Sequence, residues 1–182
     1  SGDMEINCFK SYDIRGIVGE TVSEDVFYRI GRALVRVMAS RSVVVGHDAR
    51  ATSPVLATAF ANGVRDEGAD ILDIGLSGTE ETYFATSHFH AGAGAVITAS
   101  HNPIEYNGMK FVGKGSAPLD VDSEFLEIKE QYDAETELVK QLEKKPLSNA
   151  QVIDMLTRGL DSEQSARQLK KFKHLLNDLR SR

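Results

Sequence analysis

Short apolar runs alternate with amphipathic stretches through the first two thirds of the chain, and this alternation most constrains the fold. The apolar runs indicate buried strands, and they are residues 42–46, 69–75, 93–98 and 109–112. Helical patterns fill the two intervals between the first three runs. A β-α-β-α-β order closed by a hairpin predicts an α/β fold with three α/β/α layers and a mixed sheet.

Helix boundaries are marked by capping residues. Ser23 is the predicted N-cap of a helix that precedes the first apolar run. Ser53 followed by Pro54 predicts a second helix start, with Ser53 as the cap and proline at the first helical position. A third helix is expected over residues 80–89. The Asn-Gly dipeptide at 107–108 predicts the turn into the last strand.

Composition narrows the class of partner. The chain has 182 residues, a net charge of -6 and one cysteine, Cys8. An acidic balance argues against nucleic acid as the main partner, and a single cysteine allows no internal disulfide. No apolar run approaches the ~20 residues of a membrane span, and no signal peptide is visible. We therefore expect a cytoplasmic protein without membrane contact.

The last part of the chain differs in character from the rest. Residues 146–182 carry seven Lys or Arg and four Asp or Glu, a net of +3 within a chain of -6. Helices are predicted from Ser148 and from Ser162, the latter with an apolar series that ends at Leu179. We predict an α/β domain over residues 4–145 and a helical C-terminal tail over 146–182. The tail either folds back on the domain or docks on a protein partner.

Ser100 lies in the segment Thr-Ala-Ser-His-Asn-Pro, residues 98–103. The segment follows a predicted strand, at the end where ligands bind in open α/β sheets. Taken alone, Ser100 is a turn serine bonded to its own backbone, a phosphate carrier or a nucleophile. The adjacent His101 suggests a serine hydrolase. Adjacency does not make a catalytic dyad, however, and no Gly-x-Ser-x-Gly motif surrounds the serine.

Three cationic residues could serve the same loop. Arg15 lies in a predicted polar loop, residues 12–16, and Arg50 ends the segment 46–50 directly after a strand. Each guanidinium could grip a phosphate or pair with the aspartate two residues before it. Lys110, on the returning strand, could hold a phosphate or donate a proton; otherwise it is an exposed lysine.

Two clusters resemble metal sites but are interpreted otherwise. His88 and His90 lack a third ligand at a suitable spacing, so we predict a helix end there. Asp120 and Asp122 precede a charged helical stretch, and we expect them to cap that helix rather than bind a metal.

Four segments, taken in order, resemble the first domain of the α-D-phosphohexomutases. They read Tyr-Asp-Ile-Arg-Gly, Gly-His-Asp-Ala-Arg, Thr-Ala-Ser-His-Asn-Pro and Tyr-Asn-Gly-Met-Lys. The third is highly specific to that family, and the resemblance covers about residues 8–129. Residues 73–86 look most like the bacterial phosphomannomutase branch, and Tyr106 agrees with that branch.

The resemblance implies a phosphoserine at Ser100. The enzyme would donate this phosphoryl group to a phosphohexose, pass through a bisphosphorylated sugar and convert mannose 6-phosphate to mannose 1-phosphate, a step toward GDP-mannose. Mg²⁺ would bind Ser100 through its phosphate.

The same resemblance implies roles for five further residues. Lys110 and Arg15 would shape proton transfer at the sugar hydroxyl, and His101 would contact the substrate or its phosphate. Tyr12 and Asn102 would line the substrate pocket.

The sequence also departs from the family pattern. The family has four domains, with an Asp-x-Asp-x-Asp-Arg metal loop in the second, a sugar-selecting loop in the third and a phosphate-binding loop in the fourth. None of these motifs occurs here. We therefore expect the chain by itself to lack mutase activity. The alternative is a non-catalytic regulatory module that docks through residues 146–182.

Overall fold

The computed structural model describes residues 8–10, 13–173 and 176–177. The chain divides into two compact units, Ser1–Tyr132 and Asp133–Arg182. This division falls inside a helix, whereas the sequence places a domain boundary after residue 145; that boundary stays a prediction.

The first unit holds five strands and the helices that connect them. Its elements are β1 (Ile14–Ile17), α1 (Glu24–Met38), β2 (Ser42–His47), α2 (Ser53–Asp66), β3 (Asp70–Leu76), α3 (Thr79–His88), β4 (Ala93–Ile97) and β5 (Tyr106–Gly113), followed by a 3₁₀ turn, Lys114–Ser116, and the start of α4 (Glu124–Lys144). The second unit contains the end of α4 together with α5 (Asn149–Thr157) and α6 (Ser162–Lys171).

The strands form one mixed sheet in the order β1-β5-β4-β2-β3. Strand β2 runs parallel to both β3 and β4, whereas β5 runs antiparallel to β4 and to β1. The carboxyl ends of β2, β3 and β4 therefore share one edge of the sheet with the start of β5. The predicted α/β fold with a mixed sheet is confirmed.

Side chains of β2 alternate between the two faces of the sheet, which divides the core into two layers. Val43 and Val45 join a large cluster with α1, α2 and the first turns of α4. Val44 points the other way and packs with Ala85 of α3 and with Ala91. This alternation is the period-two geometry of a strand buried on both faces. The three-layer arrangement is confirmed as well.

The predicted turn at Asn107-Gly108 was wrong, because both residues lie within β5. The connection from β4 to β5 is the loop 98–105 instead. Asn107 is buried and donates to the hydroxyls of Thr52 (2.8 Å) and Ser53 (2.9 Å). Gly108 packs so closely on β1 that a Cβ there would lie 2.0 Å from the Ile14 carbonyl oxygen. The dipeptide thus serves close packing rather than a turn.

Two other local expectations were also wrong. The segment predicted as a polar loop near Arg15 overlaps β1, a four-residue strand that carries no apolar run and gains its order by pairing with β5. Helix α2 is preceded by Thr52 as its N-cap, so Ser53 is the first helical residue. The Ser53 hydroxyl is engaged elsewhere, since it donates to Asp48.

The predicted helices of the second unit are present. Ser148 caps α5 by accepting from the Gln151 amide at 3.2 Å. Asp161, rather than Ser162, caps α6, because its carboxylate accepts from the Gln164 amide at 2.8 Å. Leu179 lies outside the described residues. No helix in the described ranges is long and apolar enough to span a membrane.

Candidate functional site

The loop 98–105, which we call the Ser100 loop, leaves the carboxyl end of β4 and turns sharply. Ser100 has a φ of 53°, in the left-handed region that a residue with a Cβ rarely adopts. Its amide donates to the Thr98 hydroxyl at 3.0 Å. Both nitrogens of Asn102 donate to the Ala99 carbonyl, the side chain at 2.7 Å and the amide at 3.0 Å. The loop is therefore tightly folded on itself.

The Ser100 hydroxyl is presented to solvent. Ser100 is exposed, and across the described ranges no hydrogen bond engages its side-chain oxygen. The side chains of the loop that bond its backbone are those of Thr98 and Asn102. Ser100 therefore lies in a turn, as the turn-serine interpretation predicts, but among the described residues the side-chain bonds to the backbone of that turn are made by Thr98 and Asn102.

The guanidinium of Arg50 binds backbone carbonyls of the Ser100 loop and of the residue that follows it. One terminal nitrogen, Nη1, donates to the carbonyls of Pro103 (2.7 Å) and Tyr106 (3.1 Å). The other, Nη2, donates to the carbonyls of Ser100 (3.2 Å) and Asn102 (2.5 Å). Four carbonyls of one loop region thus converge on a single planar guanidinium.

A polar network fixes Arg50 in turn. Its Nε lies 3.6 Å from an Asp48 carboxylate oxygen. The other Asp48 oxygen accepts from the Arg50 amide (3.1 Å) and from the Ser53 hydroxyl (2.5 Å). Because Ser53 also accepts from Asn107, this network links the end of β2, the start of α2 and β5 beneath the loop.

A small recess of about 150 Å³ opens beside the loop. It is lined by Asp13, Arg15, Thr98, Ala99, Ser100, Asn102 and Lys110. Strand β1 supplies Arg15, which pairs with Asp13 at 3.3 Å, and β5 supplies Lys110, which lies opposite Val96 of β4. The sheet register therefore brings two cationic side chains to the wall that holds Ser100.

A second recess of about 310 Å³ shares Asp13 and Lys110 with the first. Its remaining walls are mostly apolar, and Tyr83 of α3 contributes a hydroxyl. Burial disfavours the tyrosinate form, and the Asp13 charge adds to this, so the pKa of Tyr83 is raised above 10.0. Asp13 thus lines both recesses, and its charge acts on Tyr83 in the second.

The structure brings together four of the six residues that the sequence singled out: Ser100, Arg15, Lys110 and Asn102 line one recess. His101 is exposed and is not among the lining residues. Within the described ranges no hydrogen bond joins it to Ser100, so nothing favours a serine hydrolase. Tyr12 lies outside the described residues. These placements leave the proposed roles as predictions.

The sequence suggests that Arg50 either binds a phosphate or pairs with Asp48. It does not indicate that Arg50 binds the backbone carbonyls of the Ser100 loop. Arg50 does form the ion pair, but it does not line the recess. A signal existed in the strand order. Parallel pairing sets His47 opposite Ile97, and the Asp48 amide donates to the Ile97 carbonyl at 2.9 Å. Segments that follow β2 and β4 must therefore meet.

The described residues contain no group of three or more His, Cys, Asp or Glu side chains arranged to hold a metal ion. Helix α3 ends at His88, as expected. Asp120 accepts from the Asp122 amide at 2.8 Å, and its carbonyl accepts from the Phe125 amide, which forms the turn before α4. The implied Mg²⁺ therefore finds no complete ligand set among the described residues.

Comparison with known proteins identifies the family of this chain. Residues 7–139 match the family model "Phosphoglucomutase/phosphomannomutase, alpha/beta/alpha domain I". The chain belongs to this family, of which it contains domain I.

Two curated relatives and one solved structure illustrate the match. A phosphomannomutase of Klebsiella pneumoniae is 52% identical over 119 residues, which cover 65% of this chain and 76% of that protein. A phosphomannomutase of Salmonella typhimurium is 51% identical over 65% of this chain but only 26% of its own length. A crystal structure of a Burkholderia thailandensis phosphoglucomutase/phosphomannomutase family protein has a TM-score of 0.59 at 37% identity, covering 70% of this chain and 30% of that one. The matched part thus spans about a quarter of the Salmonella relative.

Proposed function

We propose that this chain is the phosphoryl-carrying domain of a phosphomannomutase, with Ser100 as the carrier. The observation that carries the proposal is the exposed, unengaged hydroxyl of Ser100 on a strained loop, beside a recess that contains Arg15 and Lys110. Relatives that share about half of the matched residues are named phosphomannomutases, which supports a phosphohexose as the substrate.

The proposed chemistry balances over two transfers. In the first, a sugar hydroxyl oxygen attacks the phosphorus on Ser100; the bond from phosphorus to the serine oxygen breaks, and the proton of the sugar hydroxyl passes to the serine oxygen, which is left as a hydroxyl. In the second, the Ser100 oxygen attacks the phosphorus of the other phosphate of the bisphosphorylated sugar; the bond from that phosphorus to the sugar oxygen breaks, and the serine proton passes to the sugar oxygen. Mannose 6-phosphate thereby becomes mannose 1-phosphate with no net change in the enzyme.

Arg15 and Lys110 would act on charge and protons at this site. Phosphoryl transfer depends chiefly on positioning and on cations that stabilise charge on the phosphoryl oxygens. We expect the Lys110 amino group to relay the proton between the two oxygens: its ammonium donates to the oxygen that leaves phosphorus, and the amine so formed accepts from the hydroxyl that attacks. Arg15 would steady the phosphate. Asn102 and Tyr12 would line the substrate side, and His101 would contact the substrate from the exposed face of the loop.

Mg²⁺ would supply further positive charge at the phosphoserine. The part of this chain that the structure describes would contribute only the phosphate on Ser100 to such an ion. The remaining ligands, like the sugar-selecting contacts, would have to come from outside this chain. We therefore expect no mannose 1-phosphate formation by this chain alone.

Carrier chemistry can be tested separately from complete turnover. The purified chain is incubated with a hexose 1,6-bisphosphate and then analysed by intact mass spectrometry and peptide mapping. We expect one phosphoryl group on Ser100, none after Ser100→Ala, and the wild-type amount after Ser123→Ala, a serine outside the loop. Absence of phosphate on the wild-type chain, or its presence on another residue, would refute carrier function in this chain.

Location and other partners stay predictions. We keep the cytoplasm, together with the absence of nucleic-acid and membrane partners, as expectations from composition. Docking on a protein through residues 146–182 is the alternative function; a stable complex that is lost when those residues are deleted would support it.

A further inference from the structure

The four carbonyls bound by Arg50 come from residues on both sides of the turn. Ser100 and Asn102 lie in its first half, Pro103 lies in its second half, and Tyr106 is the first residue of β5. Only a chain that curls around the guanidinium can point all four oxygens at it. Removal of that guanidinium would leave these oxygens to water and remove the link between the two halves of the loop.

The same curl accounts for the backbone of Ser100. Its left-handed conformation is unfavourable for an L-residue, so it persists only where surrounding contacts impose it. The Ser100 carbonyl is itself bound by Arg50, and its amide is bound by Thr98. Without the first contact, we expect the residue to relax to an ordinary φ, which would move the side chain relative to the recess.

Arg50 does not act on a ligand directly. Its side chain is 15% exposed and pairs with Asp48, and the recess is lined by Arg15 and Lys110 instead. The charge of Arg50 is thus directed at the carbonyl side of the loop. It contacts neither the Ser100 hydroxyl nor the recess into which a phosphosugar would enter.

We propose that Arg50 is a positioning residue that sets the orientation of the Ser100 hydroxyl for phosphoryl transfer. This inference rests on the proposed carrier function for its catalytic consequence, although its structural part stands independently. Misplacement of a reacting group by about 1 Å can cost on the order of 100-fold in rate. Arg50 should therefore control the rate of transfer and leave the affinity for the donor unchanged.

The test compares three variants of the full chain. Arg50→Met removes the donors. Arg50→Lys keeps the charge beside Asp48 but offers three donors without the planar fork, so it cannot bind four carbonyls. Arg65→Met is the matched control, because Arg65 lies on the surface of α2 and bonds Asn62 of the same helix.

Amide hydrogen exchange tests the structural part without any phosphoryl donor. The amides of Asn102 and Tyr106 bond within the loop, to the carbonyls of Ala99 and Pro103. We expect exchange at these two amides to accelerate at least tenfold in both Arg50 variants, while amides of β2 and β4 keep their wild-type protection. Arg65→Met should match the wild type. Unchanged loop exchange in Arg50→Lys and Arg50→Met would overturn the inference.

Phosphoserine formation from a hexose 1,6-bisphosphate tests the catalytic part. We expect the maximal rate in Arg50→Met to fall about 100-fold, with a smaller fall in Arg50→Lys and no change in the half-saturating donor concentration. Millimolar methylguanidinium should restore part of the rate to Arg50→Met, which a general loss of folding would not allow. A wild-type rate in both variants, or a loss confined to donor affinity, would refute the positioning role.

These two measurements separate the inference from the proposed function. If the wild-type chain gains no phosphate, carrier function in this chain fails, and the exchange data still decide whether Arg50 holds the loop. If the wild type is phosphorylated and the Arg50 variants match it in rate, the positioning role fails and carrier function stands.

Discussion

Two Asp-x-Arg segments of this chain look alike in sequence and differ in use. Asp13 pairs with Arg15, and Asp48 pairs with Arg50, each across two residues. The Arg15 side chain is 41% exposed and lines the recess beside Ser100, whereas that of Arg50 is 15% exposed and binds backbone carbonyls. The same kind of Asp-Arg ion pair thus places a cation beside the recess in the Arg15 segment and orders the Ser100 loop in the Arg50 segment.

Their positions relative to the sheet explain the difference. Arg15 lies within β1, where alternation places Ile14 and Gly16 inside and turns Arg15 outward. Arg50 lies after β2, in the short connection to α2, where parallel pairing brings the chain beside the end of β4. A cation on a strand is oriented by the pleat, and a cation after a strand is oriented by its neighbours at the sheet edge.

Among the substitutions that test this difference between Arg15 and Arg50, Gly108→Ala should lower the free energy of unfolding most. The new Cβ would meet the Ile14 carbonyl oxygen at 2.0 Å, and this atom belongs to the backbone of β1 and cannot swing aside. We expect β1 to be displaced and Arg15 with it, at a cost of about 3 kcal/mol in the free energy of unfolding. Urea unfolding measures this cost, and hydrogen exchange in β1 locates it.

Gly113→Ala in the same strand is the matched control. A Cβ there would approach the mobile end of Met38 at 3.1 Å, so the neighbour can yield, and we expect a loss below about 1 kcal/mol. Equal losses in the two variants would show that the close approach of β5 to β1 does not hold Arg15 in place.

The second effect concerns the other segment and follows Asp48→Ala. This change removes the acceptor for the Ser53 hydroxyl and the Arg50 amide, and it leaves a largely buried guanidinium without its paired carboxylate. We expect a loss of about 2 kcal/mol in the free energy of unfolding, in the range measured for hydrogen bonds to charged groups. Urea unfolding would give the value directly.

Asp48→Asn separates charge from hydrogen bonding in this segment. The amide oxygen can still accept from Ser53 and from the Arg50 amide, so we expect about half the loss of the alanine variant. If both variants unfold at the wild-type urea concentration, the network beneath Arg50 contributes nothing, and the loop would be held by Arg50 alone.

The sequence predicts β2, β3 and β4 but does not predict β1, which lies at one edge of the sheet. The runs that became β2, β3 and β4 are apolar and bounded by turn residues, so they were identified with nearly correct limits. Strand β1 was missed because four residues that include Arg15 and Gly16 have no apolar period. Only its pairing with β5 makes it a strand.

The site was predictable for residues that resemble a known motif and not for those that bind backbone. Ser100, Arg15, Lys110 and Asn102 were named from the sequence and share one recess. The hold of Arg50 on the loop could not be predicted, since its four acceptors are main-chain carbonyls and every residue type carries one. The sequence likewise predicts Asn107 as a turn residue, because nothing in it marks this side chain as buried against the start of α2.

The smallest effect should come from Asp13→Asn, which tests the cation facing the recess. The Asp13–Arg15 pair is partly exposed, so solvent screens it and we expect less than about 1 kcal/mol of lost stability. The pKa of Tyr83 should respond more clearly. Burial is its larger cause and the Asp13 charge the smaller, so the pKa falls in the variant but stays above 10.0.

The sign of the stability change with pH follows from that shift. In the folded chain Tyr83 keeps its proton to higher pH than in the unfolded chain. The contribution of Tyr83 to the free energy of unfolding is therefore fully present below pH 10.0 and is lost as the pH rises through the folded pKa. In Asp13→Asn this loss is smaller and ends at lower pH. NMR of ¹³C-labelled tyrosine, assigned with Tyr83→Phe, measures the pKa directly, and Asp70→Asn at the exposed start of β3 serves as the control. A Tyr83 pKa that does not change in Asp13→Asn would mean that Arg15 neutralises the Asp13 charge, so that this charge has no effect on Tyr83.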